Sequence, residues 1–178
     1  QGHFFNEEKP RYRLNPTGPQ HAQIAALAGI TEYFDSLYVH HFSNAGGDRR
    51  YRAGKVFDLI AQHEARLANI LLDYLNENSD LHVLGQDHAT PGKRVSTISF
   101  HSQATSSTHI AKKLAEHGIG VGNGHFYALR CVEALGIDPN DGVVRVSMVH
   151  YNTEEEVDLL VEAIQEALRY FGNGVRRT

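Results

Sequence analysis

The sequence predicts an α/β sandwich of the α+β kind, a mainly antiparallel sheet with helices on one face. Three observations carry that expectation. Short strand-like apolar stretches are interleaved with helical repeats from Leu81 to Phe171. A long stripe of apolar residues at helical spacing precedes them, between Tyr51 and Asn76. Finally, Val143-Val144-Arg145-Val146-Ser147 leads into Thr153-Glu154-Glu155-Glu156, a strand feeding a helix with capping-box spacing at its start.

A chain of 178 residues is one medium domain, or one domain with a remnant of another. Its 41% hydrophobic content supports a core, no apolar run is long enough to span a bilayer, and no secretory signal opens it. A formal charge of −4, with seventeen scattered Lys and Arg, argues against a nucleic-acid surface. The single cysteine, Cys131, excludes an internal disulfide and suits a reducing cytoplasm. The chain opens at Gln1 in loop-like sequence, which reads as a fragment or processed piece of a longer protein.

Taken in order, Gly2, Pro10, Pro16, Gly18 and Pro19 make the first twenty residues extended and loop-like. Ile24, Leu27, Thr31, Phe34 and Tyr38 then recur at helical spacing, giving a helix from about Pro19 to Phe42. Ser43–Asp48 is a break and the expected boundary, with residues 1–48 forming one part and 49–178 the other. The long helix at Tyr51–Asn76 follows, with Val56, Leu67, Leu71 and Tyr74 on its stripe. Leu81–Leu84 and Val95–His101 read as strands, separated by the polar loop Gln86–Arg94. Ser106 or Ser107 caps a helix that carries Ile110 and Leu114 and stops at Gly118. A short strand is expected at Ile119–Val121, a brief helix at about Tyr127–Leu135, and the final helix runs to about Arg169.

Arg145 is the residue that speaks of function. Strand side chains alternate, so Val144, Val146 and Met148 share one side while Arg145 and Ser147 share the other. On a core strand the guanidinium is expected to be buried and to demand a partner anion, from the protein or from a ligand. The plainer alternative is a solvated or salt-bridged arginine at a strand edge.

The run R-V-S-x-x-x-Y-N-T-x-E-E-x-D from Arg145 to Asp158 closely resembles the C-terminal signature of the class V aminotransferases and cysteine desulfurases. The resemblance extends from Asn15 to about Leu168 and is nearest the uncharacterised desulfurase-like branch. It implies the small C-terminal domain of a fold-type-I enzyme using pyridoxal phosphate, with the first 48 residues as the tail of its cofactor domain. It implies a homodimer with a shared active site, acting on an amino acid whose carboxylate Arg145 grips. A planar fork of donors matches that carboxylate bidentately.

Two further segments gain meaning beside that resemblance. Asn15-Pro16-Thr17-Gly18-Pro19-Gln20 precedes a helix, where free amides and a hydroxyl suit a phosphate, although a proline-stiffened turn looks the same. It resembles the family's Gly-Thr-Pro-Asn turn, with Thr17-Gly18 in reversed order and Gln20 at the amide-bearing position. The resemblance therefore implies cofactor-phosphate contacts from Thr17 and Gln20. The second segment, Gly122-Asn123-Gly124-His125-Phe126-Tyr127-Ala128, is a flexible loop closing onto a helix, with Asn123, His125 and Tyr127 as hydrogen-bonding tips. By resemblance these three cover the substrate. In true desulfurases the loop carries Arg-Thr-Gly-His-His-Cys; here Tyr127 falls at the cysteine and Gly122 at the second arginine. Without that thiolate no persulfide forms there, and Cys131, a turn further on, is expected to be a buried apolar residue.

The twelve histidines show no zinc-like spacing: His40-His41 are adjacent, and His101, His109, His117 and His125 have no matching acids or cysteine. No serine–histidine pairing forms a nucleophile elbow. Chemistry with pyridoxal phosphate needs a lysine to hold the cofactor, and Lys9, Lys55, Lys93, Lys112 and Lys113 all lie in polar settings. The resemblance places that lysine upstream of Gln1. The expected function is thus the substrate-closing domain of such an enzyme, not a true cysteine desulfurase, with no catalytic residue of its own and no activity alone. A free-standing ligand-binding or dimerisation module is the alternative.

Overall fold

In the first part of the chain helix α1, His21–His41, ends where Phe42 turns extended. The structure, a computed structural model, describes Pro10 and residues 18–43 and 46–172. These fall into two compact units, 1–57 and 58–178, so that the dividing point lies within the second helix, α2, Arg49–Glu77.

In the first unit the helical spacing of α1 is realised, but among the described residues the N-terminal part of its apolar stripe is exposed. Tyr38 is the buried residue of α1, whereas Ile24 and Leu27 are 54% and 57% exposed. Tyr38 stacks on Phe42 at 4.9 Å between ring centroids, with the Arg52 guanidinium 5.6 Å over its ring. Asp48 opens α2: its Oδ1 accepts a 2.8 Å hydrogen bond from the Tyr51 amide.

The second unit is a four-stranded sheet with three of its helices on one side. Strands β1 (Leu81–Leu84), β2 (Thr97–Ser102), β3 (Gly122–Gly124) and β4 (Val143–Ser147) lie in the order β1-β2-β4-β3, every pair antiparallel. The mainly antiparallel expectation is therefore met by a wholly antiparallel sheet. Three of the helices share its core. The C-terminal half of α2 contributes Leu67, Leu71, Leu72 and Leu75; α3 (Ser107–Glu116) brings Ile110 and Leu114; α5 (Glu154–Gly172) brings Val157, Leu160 and Ile164. Across from them stand Ile98, Phe100, Val144 and Val146. The stripe read from Tyr51 to Asn76 is the buried face of α2, extended by Ala65 and Ala68.

Local chemistry fixes the ends of these helices. Ser106 caps α3, its Oγ accepting from the His109 amide, and α3 gives way at Gly118, whose φ of 75° an L side chain rarely adopts. The carboxylate of Asp141 accepts from the Ser107 amide at 2.9 and 3.0 Å, setting a negative charge at the N-terminus of α3. The same contact ties the turn before β4 to α3. At the other end of β4, Thr153 Oγ1 accepts from the Glu156 amide and the Glu156 carboxylate accepts from the Thr153 amide at 3.0 Å, the reciprocal box read from the sequence. Asn152 also donates to Glu156 at 2.9 Å.

Two elements differ from expectation. The strand expected at Ile119–Val121 forms instead at Gly122–Gly124, because those residues find the backbone of Val143–Arg145. The helix expected from Tyr127 starts at Leu129 as α4 (Leu129–Ala134), since Phe126 and Tyr127 adopt φ of 50° and 60°, outside the helical region.

The hydrogen bonds from Asn152 and then from the Thr153 amide hold the Glu156 carboxyl below its ordinary value. A carboxyl depressed on folding adds stability above its unfolded pKa, and this is lost as pH falls through the lower folded value. Thr153→Ala is expected to lower unfolding stability by about 0.5–2 kcal/mol in urea titrations at neutral pH. Asn152→Ala, which removes the side-chain donor to the Glu156 carboxylate, should show a deficit that shrinks as pH falls through the Glu156 titration.

Candidate functional site

One face of the sheet is given to the helices, and the site lies on the other. Pairing registers place Leu84, Ser99, Arg145 and Gly122 in one row across all four strands. Residues directly opposed in an antiparallel sheet share a face. The burial of β4 alternates accordingly: Val144 and Val146 are buried, while Arg145 and Ser147 are exposed. The expectation of a buried guanidinium is thereby corrected. Among the described residues of the second unit, the Arg145 face of the sheet is covered by a helix only at one end. There α4 and the turn after it pack Val132 and Ile137 against Val143, with Leu84 and Phe126 alongside.

None of the ion pairs among the described residues includes Arg145. Its neighbour is aromatic: the Arg145 Cζ lies 3.9 Å from the centre of the Phe126 ring. Attraction between a cation and a ring face operates within about 6 Å. Ser99, half-buried, stands directly across β2 from Arg145.

The other residues singled out in the sequence go to different places. Asn123 pairs with Val144, a core residue, so its side chain is on the helix-bearing side of the sheet, where it donates to Thr108 Oγ1 at 3.1 Å. It does not share a face with Arg145. His125 is half-buried, with Nδ1 enclosed and no hydrogen-bond partner among the described residues. Tyr127 is fully exposed on its left-handed turn. Gln20 occupies the N-cap position of α1, exposed and without a side-chain capping bond; Thr17 lies outside the described residues. Cys131, expected to be buried, is exposed, since α4 spends its one buried position on Val132.

Sequence reasoning passed over Phe126, treating the loop as a set of polar tips. The available signal was Gly122, a residue without a side chain four positions before an aromatic. A Cβ there would sit 2.9 Å from two Phe126 ring carbons and 3.9 Å from Arg145 Nε.

Arg145 presents a planar fork of donors that a carboxylate would fit, and no described lysine stands in its row. Lys113 pairs with Glu116 and Glu166 at 3.0 and 3.1 Å, which raises its pKa. Lys55 approaches the Tyr51 ring on α2, and Lys93 and Lys112 are exposed away from the row. The described residues thus do not fit the covalent holder of a carbonyl cofactor. His82 and His101 face each other across β1 and β2 at 5.1 Å between rings, and burial, then the charge of His82, lowers the His101 pKa. Among the described residues no group of three or more His, Cys, Asp or Glu is placed to hold a metal ion. No helix among them is long and apolar enough to cross a membrane.

A cleft of about 370 Å³ opens between Gly118–Val121, the end of β4 and the first turn of α5, but Arg145 does not line it. Its polar groups are already engaged: Glu156 in the helix cap, and His117 with Glu166 at 3.0 Å.

Comparison with known proteins gives the following. The model of the family described as aminotransferase class-V matches residues 50–160. An aminotransferase-like protein of Gibberella zeae is 31% identical over 169 residues, 94% of this chain and 38% of its own length. A cysteine desulfurase-like protein of Aspergillus flavus is 34% identical over 113 residues, 62% of this chain and 26% of its own. The solved cysteine desulfurase of Thermococcus onnurineus superposes with a TM-score of 0.58 at 27% identity, over 68% of this chain and 29% of that one. This chain therefore spans well under half the length of these relatives.

Gly142 (φ 68°) supports the row from its end, because a Cβ there would overlap the Gly124 backbone. Gly142→Ala is expected to cost about 1–3 kcal/mol by overpacking and backbone strain. Hydrogen exchange should localise the loss to β3 and the Phe126 turn.

Proposed function

This chain belongs to the class-V aminotransferase family, and we propose that it is the C-terminal, substrate-closing segment of a pyridoxal-phosphate enzyme acting on an amino acid. The observation that carries the proposal is the Arg145 guanidinium, exposed on the uncovered sheet face with no carboxylate of the described chain to neutralise it. A fork of fixed donors in that setting receives a carboxylate from outside. The cofactor supplies an electron sink for bonds at the amino acid's α-carbon. Its lysine belongs to the remainder of the protein, in keeping with the polar settings of the described lysines, so the chain alone is inactive. Thr17 and Gln20 are assigned to the cofactor phosphate of a partner subunit in a homodimer, on the family resemblance alone. Transamination, racemisation, lyase and hydrolase outcomes all use these parts. A cytoplasmic location belongs to the same proposal.

Among the loop residues, His125 is kept as a substrate contact for its enclosed, unpartnered Nδ1. Tyr127 is assigned to the cover of the site rather than its floor, in view of its exposure. Asn123 is the weaker assignment, since its side chain is bonded to Thr108 on the other side of the sheet. The alternative, a free-standing binding or dimerisation module, draws on the same lack of a lysine in the row.

In the full-length protein Arg145→Ala is expected to weaken amino-acid binding by about 2–5 kcal/mol, and Arg145→Lys to restore only part of it. Calorimetric titration checks this; wild-type affinity in Arg145→Ala would remove the proposal's basis. Tyr127→Cys is expected to release no sulfide from L-cysteine above the wild-type background, because a thiol alone does not rebuild a loop whose position 122 is glycine.

A further inference from the structure

The turn after β3 does something costly. Two consecutive aromatic residues, Phe126 and Tyr127, adopt φ of 50° and 60°. Bulky side chains rarely take that region, and a residue held there persists only where its surroundings over-determine it. Here they do for one residue of the two. The turn sends Tyr127 fully into solvent but seats Phe126 against Val132, Ile137 and Val143 on one side and over Arg145 on the other. Gly122, directly across from Arg145, leaves room for the ring: a Cβ there would come within 2.9 Å of two of its carbons and force it to shift.

From this we infer that Phe126 is a positioning residue for the carboxylate site. Its ring covers one face of the Arg145 guanidinium and fixes the plane of the fork. Approach from that face is closed, which leaves the edge N–H groups for a carboxylate arriving in plane. An unbraced arginine on an open sheet face spreads over many rotamers, and ordering it on binding costs affinity. The inference rests on the reading of Arg145 as the carboxylate receptor and adds the device that holds it ready.

The test uses the full-length protein and calorimetry. The probe is whichever of the twenty standard L-amino acids binds the wild type most tightly, with its amide as the form lacking a carboxylate. Phe126→Ala is expected to weaken the amino acid on the order of tenfold, the scale of a lost cation–ring contact, and to leave the amide unchanged. Phe126→Tyr, which keeps the ring, should stay near wild type. Gly122→Ala leaves Phe126 present but blocks its seat, and should reproduce the loss; the double variant should be no worse than either single one. Melting curves identify any variant that fails to fold, and the remaining variants then decide. Equal weakening of amino acid and amide, or wild-type affinity in both Phe126→Ala and Gly122→Ala, overturns the inference. If Arg145→Ala weakens binding while these two do not, only the bracing role falls. If Arg145→Ala has no effect, the carboxylate reading and the inference fall together.

Discussion

The second unit is governed by the one-sided covering of its sheet. Leu71, Leu72, Leu114 and Ile164 close over Ile98, Phe100 and Val144, and that burial supplies the main driving force for the unit. Because side chains alternate along β4, the residues between the core positions have no choice of direction. Arg145 is presented outward by the same pairing that buries its neighbours. Stability and presentation are thus one arrangement seen from two sides, and a register slip in β4 would forfeit both.

The edges of the sheet are tied to the helices by polar contacts. The Asp141 carboxylate grips the start of α3, and the Thr153–Glu156 box starts α5 a few residues after β4 ends. The approach to the arginine-bearing strand is thus held by a hydrogen bond to a helix terminus, and the helix that follows it is fixed at its start. A guanidinium on so short a strand keeps its place through these ties, since five residues of ladder alone would fray.

Much of this was legible in the sequence, where one local rule decided the outcome. The stripe of α2, the Ser106 cap, the stop at Gly118 and the Thr153 box depend on residues a turn apart, and each formed as read. The burial of Arg145 was misjudged because alternation says which residues share a face but not whether anything covers it. Cys131 was misjudged for a related reason: a six-residue helix touching the sheet at one point buries Val132 and leaves the rest bare. Phe126 escaped notice because its role depends on a contact across the β3–β4 ladder, and no spacing along the chain announces that a glycine is a vacancy for a ring. The exposed Ile24 and Leu27 mark the reverse situation, a helical repeat whose apolar side meets no cover among the described residues.

The paired left-handed residues carry an asymmetry. At Tyr127 the backbone is strained and the side chain touches water alone, so glycine or asparagine there relieves strain at no loss of packing. At Phe126 the same replacement relieves the same strain and strips away the ring. Under mutational drift the two neighbours should diverge, the outer one wandering toward small flexible residues and the inner one staying aromatic.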